Sequence, residues 1–281
     1  MAASARRRCF PQQWFEVVAL NNLKRYVPML PGPKARALLV LWNPDATLRD
    51  LSAVVAVDPA MTALVLRAAN SVLSAPIDRV TTAHEAVVRL GFGEVKRLIE
   101  SAVLESQYRD LRDTPLDADE AWRYALATAI LAETLVADSE RTLAFTAGLL
   151  HDFGRLALVI ESPSRYAAVV QSVAMGSDQL SAEYQQFGAT HAEVGALIAE
   201  EWGLPAPIAQ AARLHHEEHE AGIAGAVARA RTAALAADYR EGLPVSPRPP
   251  APDDVTSVLN GVGGTEGLAQ RIRWFRDAVG G

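Results

Sequence analysis

An all-α fold is what this sequence predicts. Apolar residues recur at spacings of three and four rather than two. Alanine is abundant and β-branched runs are short, so helix propensity is high throughout. No strand alternation or Asn-Gly hairpin signal interrupts the pattern. Half of the 281 residues are apolar and 21% are charged, which excludes disorder as the ground state and supplies material for a core.

The helices are punctuated by residues with a physical reason to stop or start the chain. Pro31 and Pro33 precede a helix to about Trp42, which Asn43-Pro44-Asp45 breaks. Thr47 and Asp50 have the spacing of a capping box, with Asp in place of the longer Glu or Gln. Asp58-Pro59 is an N-cap followed by proline at the first helical position, and its helix runs to Asn70-Ser71. The asparagine there reads as a helix end, since Asn tolerates the left-handed conformation. Thr82 and Glu85 cap a helix that stops at Gly91, and another spans about Gly93 to Gln107. Asp110–Asp119 is polar, contains Pro115 and reads as a linker. A long helix follows from about Leu116 to Ala137, then one from Thr142 to His151 and one from Pro163 to about Met175. Ser181–Phe187 is shorter. Thr190 and Glu193 cap a helix ending at Trp202-Gly203-Leu204-Pro205, and the helix from Pro205 carries His215-His216 near its end. A helix from about Ile223 to Tyr239 closes this half. Pro244–Pro252 is too proline-rich for a helix and reads as a stiff extended linker. A final amphipathic helix spans about Leu268–Val279. The expected organisation is an N-terminal segment over 1–24, a body over 25–243 with lobes at about 25–110 and 116–243, and a tail over 244–281.

Charge and cysteine narrow the function classes. There are 27 Lys and Arg against 33 Asp and Glu, a net charge of -6. Phosphate affinity needs clustered cations, so a generic nucleic-acid binder is disfavoured. Basic residues do cluster at Arg6–Arg8 and at Arg271, Arg273 and Arg276. A solvated tail and a helix end matched to its dipole account for both, and nucleic-acid binding is kept as a third reading. The single cysteine, Cys9, cannot form an internal disulfide, which fits a reducing compartment. The arginines at the start lack a following apolar stretch, and no run reaches the ~20 uncharged apolar residues of a membrane span. The expectation is a cytoplasmic chain without a membrane partner.

Six histidines remain to be placed. His151 and Asp152 end an apolar helix, His191 opens a later one, and His215 and His216 end the next. Imidazole and carboxylate are good ligands for Fe, Mn, Zn or Co. Adjacent residues on a helix point about 100° apart, so one ion could join such a pair only if others complete its shell. Helix ends converge in bundles, which is how these five groups could meet. A histidine at a helix end also serves as a dipole complement or capped surface group, so no single one is diagnostic. His84 and His219 read as surface residues.

At these residues the sequence resembles HDOD proteins, relatives of the HD and HD-GYP metal-dependent phosphohydrolases. The first half carries Leu30-Pro31, Asn43-Pro44-Asp45, Asp58-Pro59, Arg67-Ala-Ala-Asn70-Ser71 and Ala86-Val-Val-Arg-Leu90-Gly91. The second carries Trp122, Gly148-Leu-Leu-His151-Asp152-Phe-Gly154-Arg155, Phe187-Gly188, His191, Val194-Gly195, Trp202-Gly203-Leu204-Pro205 and His215-His216. The resemblance covers about residues 25–240 and implies a helical N-terminal lobe packed on an HD-like bundle. It also implies a regulatory role in bacterial signalling, most HDOD proteins being thought to lack hydrolytic activity.

The departures from active HD enzymes point the same way. Tyr124 stands where the resemblance implies a first histidine, and a neutral phenol is a poor ligand. Arg155 replaces a lysine. Arg231 falls at the late aspartate, with Asp238 as the alternative. No Gly-Tyr-Pro tripeptide is present. His151, Asp152, His191, His215 and His216 are therefore an incomplete set that could hold one divalent ion such as Fe, Mn or Zn. The leading expectation is a non-catalytic signalling module that binds a protein partner, or a nucleotide such as a cyclic dinucleotide. The alternative is a metal-dependent phosphohydrolase acting on a cyclic dinucleotide or another phosphodiester.

Overall fold

A computed structural model of the chain describes residues 40–43, 45–71, 79–109, 111–217, 221–242 and 255–279. The N-terminal segment over 1–24, Leu30-Pro31, Pro44, Cys9, His219 and the Pro244–Pro252 linker lie outside the described residues. Every regular element among the described residues is helical.

The N-terminal lobe comprises α1 (Leu48–Ala56), α2 (Pro59–Ala69) and α3 (Ala83–Arg109). The short Asp50 arm does close the capping box on Thr47, accepting the Thr47 amide at 2.9 Å. Asp58 caps α2 by accepting the amides of Ala60 and Met61. Within α3, Gly91 adopts the non-helical φ 77°, ψ 162°, so two helices meet there at a kink, in keeping with the expected stop at Gly91 and restart near Gly93. Asn70 departs from the expectation. Its φ is -100°, not left-handed. It ends α2 through its side chain instead, donating to Leu66 O and Val80 O and accepting the Val80 amide at 2.8 Å. Asn70→Ala is expected to cost about 2 kcal/mol, because it strands the buried Val80 groups. Urea unfolding of the variant measures this.

The second lobe contains α4 (Ala118–Ala132), α5 (Arg141–Leu150), α6 (Phe153–Glu161), α7 (Pro163–Ala174), α8 (Gln179–Phe187), α9 (His191–Glu201), α10 (Ala206–Leu214) and α11 (Gly222–Ala236). α4 is buried nearly all round and packs against α5 and α11, while α9 packs on α6 and α10. α4 ends earlier than expected, at Ala132, and continues as a 3₁₀ turn over Glu133–Leu135. The most consequential difference is α6, which the punctuation did not announce. Asp152 sits at its N-cap position but makes no capping bond there.

The lobes meet through α3, which touches both α4 and α5. Trp122 Nε1 donates to Ser101 O, and buried Glu100 accepts from Thr146 Oγ1 at 2.9 Å. Two tail helices complete the fold. The unexpected α12 (Val255–Asn260) packs on α11, and α13 (Gly264–Val279) lies across α2, α3 and α4. Phe275 of α13 is fully buried and stacks on Phe145 at 5.7 Å between centroids. The α13 arginines face carboxylates: Arg271 with Glu94, Arg273 with Glu266, and Arg276 with Asp277. One described stretch, Asp138–Glu161, is long and apolar enough to cross a membrane. It is mostly buried inside the bundle, as a 3₁₀ turn followed by α5 and α6.

Candidate metal centre

Four helix ends build the site. His151 is the C-cap residue of α5, and Asp152 turns the chain into α6. His191 is the first residue of α9, whose start is fixed by the Thr190–Glu193 capping box. His215 and His216 follow the last turn of α10. α6 and α9 approach so closely at Gly154 that a Cβ there would overlap the His191 carbonyl oxygen and lie 2.9 Å from Gly195 Cα. That contact seats Asp152 against His191.

Asp152, His191, His215 and His216 converge so that one donor atom from each lies within 4.8 Å of the others. Asp152 Oδ1 is 3.0 Å from His191 Nε2 and 3.2 Å from His215 Nε2. His191 Nε2 is 3.1 Å from His215 Nε2 and 3.0 Å from His216 Nε2. His151 lies beside this group rather than in it. Its Nδ1 donates to Gly148 O at 2.7 Å, and its Nε2 stands 3.8 Å from Asp152 Oδ2.

The hydrogen bonds behind the rings assign their tautomers. Ala212 O can only accept, so His215 Nδ1, 2.8 Å away, carries the hydrogen. Glu183 Oε2 takes the hydrogen of His191 Nδ1 at 2.7 Å. In their neutral forms both rings therefore aim Nε2 lone pairs at each other and at an ionised carboxylate. Such an arrangement requires a cation between the donors, either a proton or a metal ion. A borderline divalent ion fits this donor set.

Electrostatics agree with a single shared positive charge. Burial lowers the affinity of His191 for a proton, but Glu183 and Asp152 outweigh it and raise its pKa to about 9. Burial depresses His215, and burial together with His215, Arg231 and His191 depresses His216. Burial likewise takes His151 down to about 3. Burial alone would raise Asp152, but Arg155, His151 and His191 hold it well below the usual carboxylate range.

Two carboxylates escaped the sequence analysis. Glu183, from α8, is fully buried and accepts both the His191 amide and its ring hydrogen. Glu241, after α11, is 3% exposed and accepts from Arg231 at 2.7 Å, Arg155 at 3.2 Å and the Tyr124 hydroxyl at 3.3 Å. Neither is marked by residue type or spacing, since each reads in sequence as an ordinary surface glutamate.

The positions flagged as departures are now placed. Tyr124 is buried with its ring edge toward His151, and burial keeps its phenol neutral. Arg155 Nη2 lies 3.0 Å from Asp152 Oδ2. Arg231 belongs to this charged network through Glu241. Asp238 does not: its side chain is 64% exposed and pairs with Arg240.

A helical bundle with a His-Asp turn between two helices and three more histidines at facing helix ends defines the HD-like class. Within that class the chain belongs to the HDOD domain family, whose model matches residues 27–218. Solved structures share the fold. An HDOD domain protein of unknown function from Geobacter sulfurreducens is 24% identical, with 90% of this chain and 84% of that one covered and a TM-score of 0.67. A candidate phosphohydrolase from Shewanella amazonensis SB2B is 26% identical, with 92% and 97% covered and a TM-score of 0.67. A candidate signal transduction protein from Marinobacter aquaeolei VT8 is 25% identical, with 95% and 63% covered and a TM-score of 0.65. An uncharacterized protein of Treponema pallidum (strain Nichols) is 27% identical over 202 residues, or 68% of this chain. The match spans only 37% of that relative's length.

Proposed function

We propose that this chain is a non-catalytic regulatory module of signal transduction, acting by binding a protein partner. In this reading the His-Asp cluster is a structural centre that holds one cation. The observation that carries it is the pairing of Asp152 Oδ2 with Arg155. A dinuclear hydrolase needs its carboxylate to bridge two ions and an open position for an activated water. Here one oxygen faces the histidines and the other faces a guanidinium. A second guanidinium, Arg231, is locked to Glu241 nearby. Three of the four donors are buried, His191 0% exposed, His215 1% and Asp152 3%, and only His216 is partly exposed.

Asp152, His191, His215 and His216 would hold a single Fe, Mn or Zn ion. Bound there, it would supply a fixed positive charge and cross-link three helix ends. Glu183 orients His191 for that role, and Arg155 fixes the Asp152 carboxylate.

The second reading, a metal-dependent phosphohydrolase, is favoured by the convergence of one aspartate and three histidines. It is also favoured by the likeness to the Shewanella candidate phosphohydrolase. Incubation of the full chain with bis-p-nitrophenyl phosphate and cyclic di-GMP, with added Mn or Fe, separates the two. The expected result is no turnover above background. Metal-dependent hydrolysis that disappears in Asp152→Ala would overturn the non-catalytic reading.

A further inference from the structure

The carboxylate of Glu241 is held as a ligand is held. Its Oε1 takes Arg231 Nη2 and the Tyr124 hydroxyl, and its Oε2 takes Arg155 Nη2. Arg155 Nη1 grips the Glu241 carbonyl oxygen at 2.6 Å. Yet Glu241 belongs to no helix. It follows the left-handed Asp238 (φ 71°) and precedes Gly242 (φ 75°), so the segment that presents it is a short loop with a turn at each end. Apart from the contacts of Glu241 itself, the loop is held by backbone amides: Asp117 donates to Gly242 O at 2.9 Å, Tyr239 to Ala234 O at 3.0 Å, and Arg240 to Glu120 Oε1 at 3.2 Å.

Two oxygens do not satisfy the donors gathered there. Arg155 Nε and Arg231 Nε are both buried without an acceptor among the described residues. Arg155 as a whole is only 2% exposed. Guanidinium groups match the spacing of oxyanions, and a phosphate offers more oxygens and more charge than a carboxylate. Beside the same loop lies a surface groove of about 590 Å³, bordered by Asp117, Glu120 and Asp238 as well as by Arg123, Arg240 and Gly242. Outward movement of Glu241 would join the groove to the two guanidinium groups.

We propose that Arg155, Arg231 and Tyr124 form a phosphate-binding site whose resident occupant is the Glu241 carboxylate, and that a phosphate-bearing ligand displaces it. The inference rests on the non-catalytic reading, because the ligand is held and sensed rather than hydrolysed. Displacement frees residues 239–242, and with them the root of the chain leading to α12 and α13. The site thus converts phosphate binding into a change at the tail.

The test uses the full-length protein titrated separately with orthophosphate, adenosine monophosphate and cyclic di-GMP. The readouts are calorimetry and amide hydrogen exchange at Asp117 and Arg240. At least one of the three is expected to bind and to speed exchange at both amides. Glu241→Gln is expected to bind the same species about tenfold more tightly, since the competing charge is gone. Arg231→Met is expected to abolish binding. Should Glu241→Gln fail to fold by circular dichroism, Glu241→Asp, whose shorter arm withdraws the carboxylate, serves in its place. The proposal is overturned if none of the three binds at millimolar concentration to either the native or the plug-weakened protein. It is equally overturned if binding survives Arg231→Met and Arg155→Met. Hydrolysis of a bound ester would overturn the non-catalytic reading and leave the site standing, whereas absence of binding does the reverse.

Discussion

Gly154→Ala is expected to destabilise the protein by about 3 kcal/mol or more, a large effect for one methyl group. The added Cβ would overlap the His191 carbonyl oxygen and the Gly195 nitrogen, both backbone atoms of α9. No side-chain rotation relieves such a clash, so α6 and α9 must separate. Overpacking a flexible core site costs less, because a side chain can yield. Gly188→Ala is the control. A Cβ there meets nothing within 4 Å, but φ is 74°, so the cost is conformational and about 1 kcal/mol. Urea unfolding of the two variants tests the contrast, and equal losses would show that the α6–α9 contact is not as close as described. Gly154→Ala carries a second consequence, since the contact it opens is the one that seats Asp152 beside His191. Any divalent ion held by the pair is therefore expected to bind more weakly in Gly154→Ala and unchanged in Gly188→Ala.

The legibility of this protein in its sequence follows the range of the interactions. Capping residues act within three or four positions, so Thr47, Asp58, Thr82 and Thr190 announced their helices directly. The same locality explains the failure at α6. Asp152 reads in sequence as the end of the preceding helix, and its carboxylate is drawn to His191, His215 and Arg155, so α6 starts with no side-chain cap to mark it. Asn70 was read as a conformational end because its clamp on Val80 lies ten residues away. The histidines and Asp152 could be named as candidates by residue type and by resemblance. Glu183 and Glu241 could not, since an ordinary surface glutamate and a buried one look alike in sequence. Glu241 meets Arg155 across 86 positions and Tyr124 across 117, and only the packed bundle brings them together.

The largest effect expected at the centre itself is a stability that depends on pH only when metal is absent. His191 has its pKa raised from 6.5 to about 9 by Glu183 and Asp152 acting against burial. A group bound more tightly to its proton in the folded state stabilises fully below its unfolded pKa. That contribution is lost as pH rises through the folded value, so the window runs from about 6.5 to about 9. Protein stripped with a chelator is expected to lose thermal stability across that window. A divalent ion takes the proton's place between the Nε2 atoms, and metal-loaded protein is expected to stay flat through the same range. Binding at ~100 times the dissociation constant adds about 3 kcal/mol. Metal affinity itself is expected to rise with pH, because the ligands must first lose the competing proton. Asp152→Asn separates charge from shape. It keeps the volume but leaves Arg155 facing a neutral amide, and breaking a buried pair of this kind costs about 3–5 kcal/mol. The variant should neither retain metal nor show the His191 window at full size, since Asp152 is one of the two carboxylates that raise that pKa. If chelated and metal-loaded proteins melt alike at every pH, neither a metal ion nor the His191 proton joins these helix ends, and the role assigned to the centre fails with it.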